Sequence, residues 1–137
     1  MLQFYFLSVL LNAITGYVLI FADKDEQEIL AEHRVPAIVR SETFRLVLGL
    51  LTGVTGFFKL LTAVRGDVPV IGDLIPALAG LAGGFNLLYE FYKNRSVVED
   101  ETLPPFFQKI IASRRYVGMA CLIAACLHFL FPTILFL

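Results

Sequence analysis

The chain has 137 residues, of which 58% are hydrophobic and 17% charged, and its mean hydropathy is +0.77. A soluble domain of this size does not need so much apolar sequence for its core, so the composition predicts a membrane protein. The formal net charge of −1 leaves no basic surface for nucleic acid, which argues against a nucleic-acid-binding role.

Four apolar runs are long enough to cross a bilayer, because a hydrocarbon core of about 30 Å needs roughly 20 helical residues. They cover residues 1–22, 44–64, 71–92 and 116–137. We therefore predict an all-α protein whose residues 1–137 form a single integral membrane domain with four transmembrane helices. The first run is followed by the acidic segment DKDEQE rather than by a small-residue cleavage site, so we expect this helix to be retained.

The first helix carries three polar residues that share one face. Ser8, Asn12 and Thr15 follow the spacing i, i+4 and i+7, which places their side chains on the same side of a helix. Polar side chains within a membrane face other helices or a water-filled cavity. We therefore include Asn12 among the candidate residues of a ligand site or ion pathway.

Basic residues are concentrated in the two long connections, residues 23–45 and 93–115. These contain nine Lys and Arg residues, against one, Arg65, in the short turn RGDVPVIGD. Because positive charge stays cytoplasmic, we predict a cell-membrane protein with both long connections in the cytoplasm and both termini outside.

Each connection ends in an amphipathic stretch, which predicts a short interfacial helix whose basic side chains contact lipid headgroups. The candidate headgroup contacts are Arg40, Arg45, Lys109, Arg114 and Arg115.

Glycines mark the faces through which the second and third helices are expected to pack. Gly49, Gly53 and Gly56 line one face of the second helix. Gly80 and Gly83 in the third helix repeat the spacing of Gly53 and Gly56. Small residues let helix backbones approach closely in a membrane, so we predict that these two helices form a packed hairpin.

Lys59 lies inside the second helix, 14 residues after Arg45 and therefore roughly 21 Å from it along the axis. This depth, in the outer half of the bilayer, leaves three alternatives. The side chain could extend to the outer surface, it could point into the bundle as part of a route for protons or a site for an anionic ligand, or it could contact a partner subunit. Glu90 lies near the cytoplasmic end of the third helix, so we expect its partner to be Lys93. The candidate pathway residues are Lys59, Asn86, Glu90, His128 and Asn12.

The fourth helix carries both cysteines and one of the two histidines. Cys121 and Cys126 are five residues apart, roughly 140° around a helix, so they cannot bridge each other and are expected to be packing residues. His128 and the distant His33 form no recognisable metal set with them. We predict no metal site; no cofactor is indicated, and the absence of enzyme motifs leans against an enzyme without deciding the question.

The two halves of the chain resemble each other when one is shifted by 69 residues. This shift aligns Pro36 with Pro105, Arg40 with Lys109, Arg45 with Arg114, Gly49 with Gly118 and Lys59 with His128. The pattern suggests two duplicated helix–loop–helix halves related by an axis along the membrane normal. The alternative is that apolar helices with basic flanks resemble each other without common origin.

The segment RLVLGLLTGVTGFFKLL, residues 45–61, followed by VPVIGDLIPALAGLAGGF, resembles the first helical hairpin of the DoxX-like small four-helix membrane proteins. In that family an Arg opens a Gly-rich helix with a Lys toward its far end, and Arg45 and Lys59 are the matching positions. The resemblance implies a four-helix membrane protein. It also suggests a link to quinone or thiol redox systems, with which some members are associated.

Three functions are compatible with this sequence. The first is a non-enzymatic subunit or homo-oligomer within a membrane assembly, with the lipid bilayer and other membrane subunits as partners. The second is a small transporter or a proton- or ion-conducting protein built around Lys59, Asn86 and His128. The third is a redox-linked membrane subunit that uses Cys121 and Cys126.

Overall fold

A computed structural model describes residues 2–21, 36–64, 70–96 and 103–131. Within these ranges the chain is all-helical, as the composition predicts. The helices are α1 (Leu2–Phe21), α2 (Ala37–Arg40), α3 (Glu42–Val64), α4 (Val70–Arg95), α5 (Pro105–Ala112) and α6 (Arg114–Leu130). Residues 22–35, 65–69, 97–102 and 132–137, which include parts of both long connections and the end of the fourth apolar run, lie outside the described residues.

Three helices are long and apolar enough to cross a membrane, judged by length and composition. These segments are Gln3–Phe21, Glu42–Leu61 and Leu74–Arg95. The described part of α6 has 17 residues. Together with α5 it passes the same test, although the two helices meet at a bend of 74°. The described chain therefore contains three candidate spans, or four if α5 and α6 are counted as one broken span.

Proline positions the short helices in the two connections. Pro36 immediately precedes α2, and α5 begins with Pro105. Proline has no backbone N–H and its φ is already helical, so it fits the start of a helix, where that N–H would have no partner. Each short helix then passes into a long one through a single residue, Ser41 before α3 and Ser113 before α6.

The long helices pack most extensively in two pairs, α3 along α4 and α1 along α6. The pairs meet through contacts of α4 with α6, α1 with α4 and α1 with α3. A shift of 69 residues carries α1 onto α4 and α3 onto α6, so it exchanges the two pairs and preserves the pattern of contacts. The larger cluster of buried apolar side chains comprises Leu11, Val18, Leu19, Val39, Leu48 and Leu87.

Glycines allow the backbones of α3 and α4 to come close. A Cβ atom at Gly49 would lie 2.9 Å from Leu87 Cβ, and one at Gly56 would lie 2.8 Å from the carbonyl oxygen of Ala77. A Cβ atom at Gly84 would be 2.7 Å from both Gly49 O and Gly53 N. Such distances leave no room for a side chain, so these positions require glycine for the observed packing.

The structure assigns one glycine to a different neighbour than the spacing suggests. A Cβ atom at Gly83 would meet Thr15 Cγ2 at 2.7 Å and Cys121 Sγ at 2.8 Å, so Gly83 faces α1 and α6 rather than α3. The residue that meets α3 is Gly84, one position later and therefore about 100° around the helix. Sequence spacing alone did not separate these adjacent glycines.

A second glycine contact joins α1 to α6. A Cβ atom at Gly16 would lie 2.7 Å from Gly118 O, and one at Gly118 would lie 2.9 Å from Leu19 Cβ. Gly118 is the residue that the 69-residue shift aligns with Gly49, and each of the two supports the close approach within its own helix pair. Neither Gly16 nor Gly118 was predicted from the sequence to be a packing residue.

Alanine should destabilise the protein when it replaces Gly56 but not when it replaces Gly53. Gly56→Ala places its methyl group against the α4 backbone and should destabilise the protein by about 1–3 kcal/mol. Gly53→Ala is the matched control, because a Cβ atom there has no atom within 4 Å. It should be neutral or stabilise by up to about 1 kcal/mol through its better helix propensity. Thermal unfolding of both variants in one detergent measures the difference, and equal behaviour would contradict the assigned contact.

Candidate functional site

Lys59 and His128 meet inside the bundle and link α3 to α6. Lys59 Nζ lies 2.7 Å from His128 Nε2, within hydrogen-bonding distance. Each residue is only 5% exposed to solvent. Of the alternatives that the sequence left open for Lys59, the structure therefore shows the side chain pointing into the bundle.

Tyr5 of α1 also contacts this pair. Its hydroxyl group donates a hydrogen bond to the carbonyl oxygen of His128, and its ring centroid lies 4.5 Å from that of the imidazole. Lys59 Nζ is 5.8 Å from the centre of the Tyr5 ring, close enough for a cation–π attraction. Tyr5 was not among the residues that we predicted from the sequence. The available signal was its spacing, since it lies three residues before Ser8 and so continues the polar face of α1.

The chemistry of the Lys59–His128 contact depends on how many protons it holds. Neither group is acidic, so a hydrogen bond between the two nitrogens needs one to donate and the other to accept. When one proton is added to the neutral pair, Lys59 becomes an ammonium group that donates to a neutral imidazole, and the pair carries one positive charge. A second proton would put two positive charges at the same distance, which repel by about 6 kcal/mol at an effective dielectric constant of about 20. The contact is therefore attractive with one added proton and opposed by repulsion with two.

A layer of hydroxyl and amide groups lies deeper in the bundle. Thr15 Oγ1 and Thr52 Oγ1 are 2.8 Å apart, and Thr52 Oγ1 donates to the carbonyl oxygen of Leu48 at 2.7 Å. A hydroxyl group has one proton, so Thr15 must donate to Thr52. Asn12 Nδ2 donates to Pro76 O at 3.1 Å. Both sets of bonds end on backbone carbonyls, which accept a hydrogen bond and have no proton to pass on.

A second charged cluster lies at the opposite end of the same helices, around Glu90 of α4. Arg45 Nη1 donates to Glu90 Oε1, and Arg114 Nη1 lies 3.3 Å from Glu90 Oε2. Arg45 Nε also donates to Val39 O at 3.1 Å, and Arg114 Nε to Leu19 O at 3.2 Å. Leu19 is in the last turn of α1, where carbonyl groups have no partner within the helix and the helix dipole favours a cation.

The positions of these arginines correct part of the sequence interpretation. We predicted Arg45 and Arg114 as lipid-headgroup contacts, but their side chains are only 5% and 18% exposed and lie on Glu90. A carboxylate inside the bundle needs cationic partners, and these two helix starts supply them. We had named Lys93 as the partner of Glu90 and had not predicted either arginine. The remaining candidates Arg40, Lys109 and Arg115 are exposed.

The five candidate pathway residues do not form one continuous site. Lys59 and His128 are together, while Glu90 is in the other cluster. The arginines that bind Glu90 lie 14 residues before Lys59 on α3 and 14 residues before His128 on α6, or roughly 21 Å along each helix. Asn86 is buried and donates through Nδ2 to Ala82 O of its own helix. Asn12 bonds to α4 in the layer between the clusters.

The 69-residue shift relates the members of each charged cluster. It aligns Arg45 with Arg114, which bind the two oxygens of the same carboxylate. It also aligns Lys59 with His128, which bind each other. Equivalent positions of the two halves therefore meet at both ends of the bundle.

The two cysteines occupy different environments. Cys121 is buried and its thiol donates to Ala79 O at 3.2 Å, between α6 and α4, whereas Cys126 is exposed. In the part of the chain that the structure describes, no three His, Cys, Asp or Glu residues are grouped so that they could hold a metal ion.

Comparison with known proteins places the chain in a family. The model of an uncharacterized protein family matches residues 1–128. The chain belongs to this family. It is also similar to an uncharacterized protein of Treponema pallidum (strain Nichols), with 36% identity over 137 residues that cover all of both chains. No solved structure matches it.

Neutralising Glu90 should destabilise the bundle. Glu90→Gln removes the carboxylate that two guanidinium groups share, and an uncompensated buried charge typically costs about 3 kcal/mol or more. Arg95→Gln is the control, because Arg95 is an exposed residue at the end of the same helix and should change stability by less than about 0.5 kcal/mol. Unfolding in detergent measures both. Equal stability of the two variants would show that the Glu90 cluster does not hold the helices together.

Proposed function

We propose that this chain is a non-enzymatic integral membrane protein that binds a proton at the Lys59–His128 pair and works within a membrane assembly. The contact between these two basic groups inside an apolar helix bundle is the observation that carries the proposal. Ionisable residues inside transmembrane segments are costly and mark functional sites by default. We further propose that it works with other membrane subunits or as a homo-oligomer.

The distribution of side chains supports insertion into a bilayer. On α3 the polar residues Thr52, Thr55 and Lys59 are buried, while Leu50, Leu51, Val54, Phe57 and Phe58 are about half exposed. A water-soluble helix has the reverse arrangement. An outward apolar face and an inward polar face are what a helix needs when the surrounding solvent is lipid. We propose four spans, with α6 as the fourth, and an origin of the two halves by duplication.

The proposed orientation follows from the basic connections and can be tested by labelling. In a chain without its native cysteines, Asp67→Cys should react with a membrane-impermeant maleimide added outside intact cells, because the short turn that contains it is proposed to be extracellular. A single cysteine at Arg115 should react only after the cells are opened. The reverse pattern would overturn the orientation, and labelling of both sites in the soluble fraction would overturn membrane insertion.

The proton-binding part of the proposal follows from the chemistry of the pair. Uptake of a second proton converts an attractive hydrogen bond between α3 and α6 into repulsion, so protonation and the distance between these helices are coupled. Tyr5 is the titratable group of α1 that meets the pair within the described residues. Lys59 lies five residues before the end of α3, so the pair is near the proposed outer end of the bundle.

Histidine NMR tests the coupling directly. In ¹⁵N-histidine-labelled protein in nanodiscs, the pH dependence of the His128 ring signals should differ between the wild type and Lys59→Met, because the variant has no second basic group beside the imidazole. His33 is the internal control, since the chain has two histidines and the second should respond to pH identically in both proteins. Identical titration of His128 with and without Lys59 would refute the shared proton.

Proton flux separates the proposal from its main alternative, a proton-conducting transporter. That alternative is favoured by the buried polar side chains that line the interior between the clusters, which are Ser8, Asn12, Thr15, Thr52 and Thr55. The hydrogen bonds of Thr52 and Asn12 to backbone carbonyls argue against a continuous route.

A flux measurement decides between the two. After reconstitution into liposomes, we expect the wild type and Lys59→Met to dissipate a pH gradient equally. Flux that requires Lys59 would instead identify a transporter. The redox-linked role stays a prediction from the family resemblance.

A further inference from the structure

The four long helices form two pairs, α3 with α4 and α1 with α6, and within each pair the helices touch through their backbones. Gly56 of α3 lies against Ala77 of α4, and Gly16 of α1 lies against Gly118 of α6. At these distances no side chain separates the two helices, so close packing leaves each pair little freedom to change its geometry. Each helix pair therefore behaves as a rigid unit.

The boundary between the two helix pairs is made by polar side chains instead. Thr15 of α1 bonds to Thr52 of α3, and Asn12 of α1 donates to Pro76 O of α4. Single hydrogen bonds between neutral groups hold membrane helices together only weakly, because the separated helices find other partners for the same groups. The two pairs therefore separate from each other more easily than the helices within a pair do.

Asn12 presents a buried acceptor at this boundary that no described residue uses. Only 2% of Asn12 is exposed, and its Oδ1 receives no hydrogen bond within the described part of the chain. A Cβ atom on Gly80 would lie 3.3 Å from this oxygen, so the oxygen faces α4 across the boundary. Exchanging the two amide atoms gives no better arrangement, because Pro76 O needs the donor that Nδ2 supplies. A buried acceptor without a donor is destabilising, and a ligand bound in another conformation explains why it is present.

The two ends of the boundary are held by different interactions. At one end, Arg114 of α6 binds the Glu90 carboxylate of α4, and the charges are opposite. At the other end, Lys59 of α3 meets His128 of α6, where two cations would repel each other. A separation of the helix pairs therefore has its hinge at the Glu90 end and its opening at the Lys59 end.

We propose that the helix pairs separate at the Lys59 end and open a cleft for a small neutral polar molecule, which donates a hydrogen bond to Asn12 Oδ1. Buried Ser8 lines the cleft one turn from Asn12 on the same face of α1, and buried Thr55 lines it from α3. These hydroxyl and amide groups carry no charge, so they match a neutral ligand. The inference rests on the proposed function and deepens it, because a second proton on the basic pair would favour the open state.

Cysteine accessibility tests the opening on the full chain in nanodiscs. In a chain without its native cysteines, Ser8→Cys and Thr55→Cys should react with 2-hydroxyethyl methanethiosulfonate, a small neutral polar probe. Val18→Cys is the control, because Val18 is also buried but lies beside Leu19, which Arg114 binds at the hinge end. Both cleft positions should react about tenfold faster than Val18→Cys or more, since the rate follows the population of the open state.

A disulfide across the boundary should suppress this reaction. The hydroxyl oxygens of Thr15 and Thr52 are 2.8 Å apart, so the double variant Thr15→Cys, Thr52→Cys is placed to form a bond that ties α1 to α3. After oxidation, Ser8→Cys should react about tenfold more slowly than it does without the disulfide. The trimethylammonium analogue of the probe should react more slowly than the neutral one, because the basic pair repels a cation.

Three outcomes would overturn the inference: cleft positions that react no faster than Val18→Cys, no protection by the disulfide, or faster reaction with the cationic probe than with the neutral one. Thr55→Cys keeps the test available if Ser8→Cys does not fold. All rates are measured at one pH, so a failure of the shared proton is recognised separately in the histidine NMR. A failure of membrane insertion is recognised in the cysteine labelling at the two ends of the bundle.

Discussion

The carboxylate of Glu90 is the interaction on which the arrangement of the helices at one end of the bundle depends. Bringing a carboxylate and two guanidinium groups out of water costs several kcal/mol for each ion, which is recovered only if the geometry holds them together. Arg45 joins α4 to α3 and, through Val39 O, to α2; Arg114 joins α4 to α6 and, through Leu19 O, to α1. Five helices are therefore linked through Glu90 and its two arginines, which fix the position of α3 and α6 against α4 directly and of α1 and α2 through the arginines.

The cluster at the other end has a different physical character because its two charged partners have the same sign. Arg45 and Arg114 carry charges opposite to that of the Glu90 carboxylate, so that contact is attractive. Lys59 and His128 would repel each other if both were cations, so we propose that the link they make between α3 and α6 depends on protonation. One end of the bundle is thus held by opposite charges, and at the opposite end we propose a contact that responds to protonation.

Between the clusters, the helices pack in the way expected for helices surrounded by lipid. Lipid tails give little hydrophobic drive for helices to associate, so close backbone contact and interhelical hydrogen bonds must hold them. Gly56 against Ala77 and Gly16 against Gly118 supply the first, and the bond from Thr15 to Thr52 supplies the second. The same packing leaves the interior hydrogen bonds ending on backbone carbonyls, which separates the two clusters chemically.

The amino-acid sequence determined the helices, since apolar runs and the prolines at 36 and 105 place them within a few residues of their bounds. It also determined the face on which Lys59 lies within α3. Only the tertiary structure decided what that face meets, because helical periodicity gives angles within one helix and not the rotation of its neighbour. A rotation of about 100° decides whether Gly83 or Gly84 meets α3. The rotation of neighbouring helices also decides that Arg45 contacts Glu90, 45 positions later in the chain, and that Lys59 contacts His128, 69 positions later.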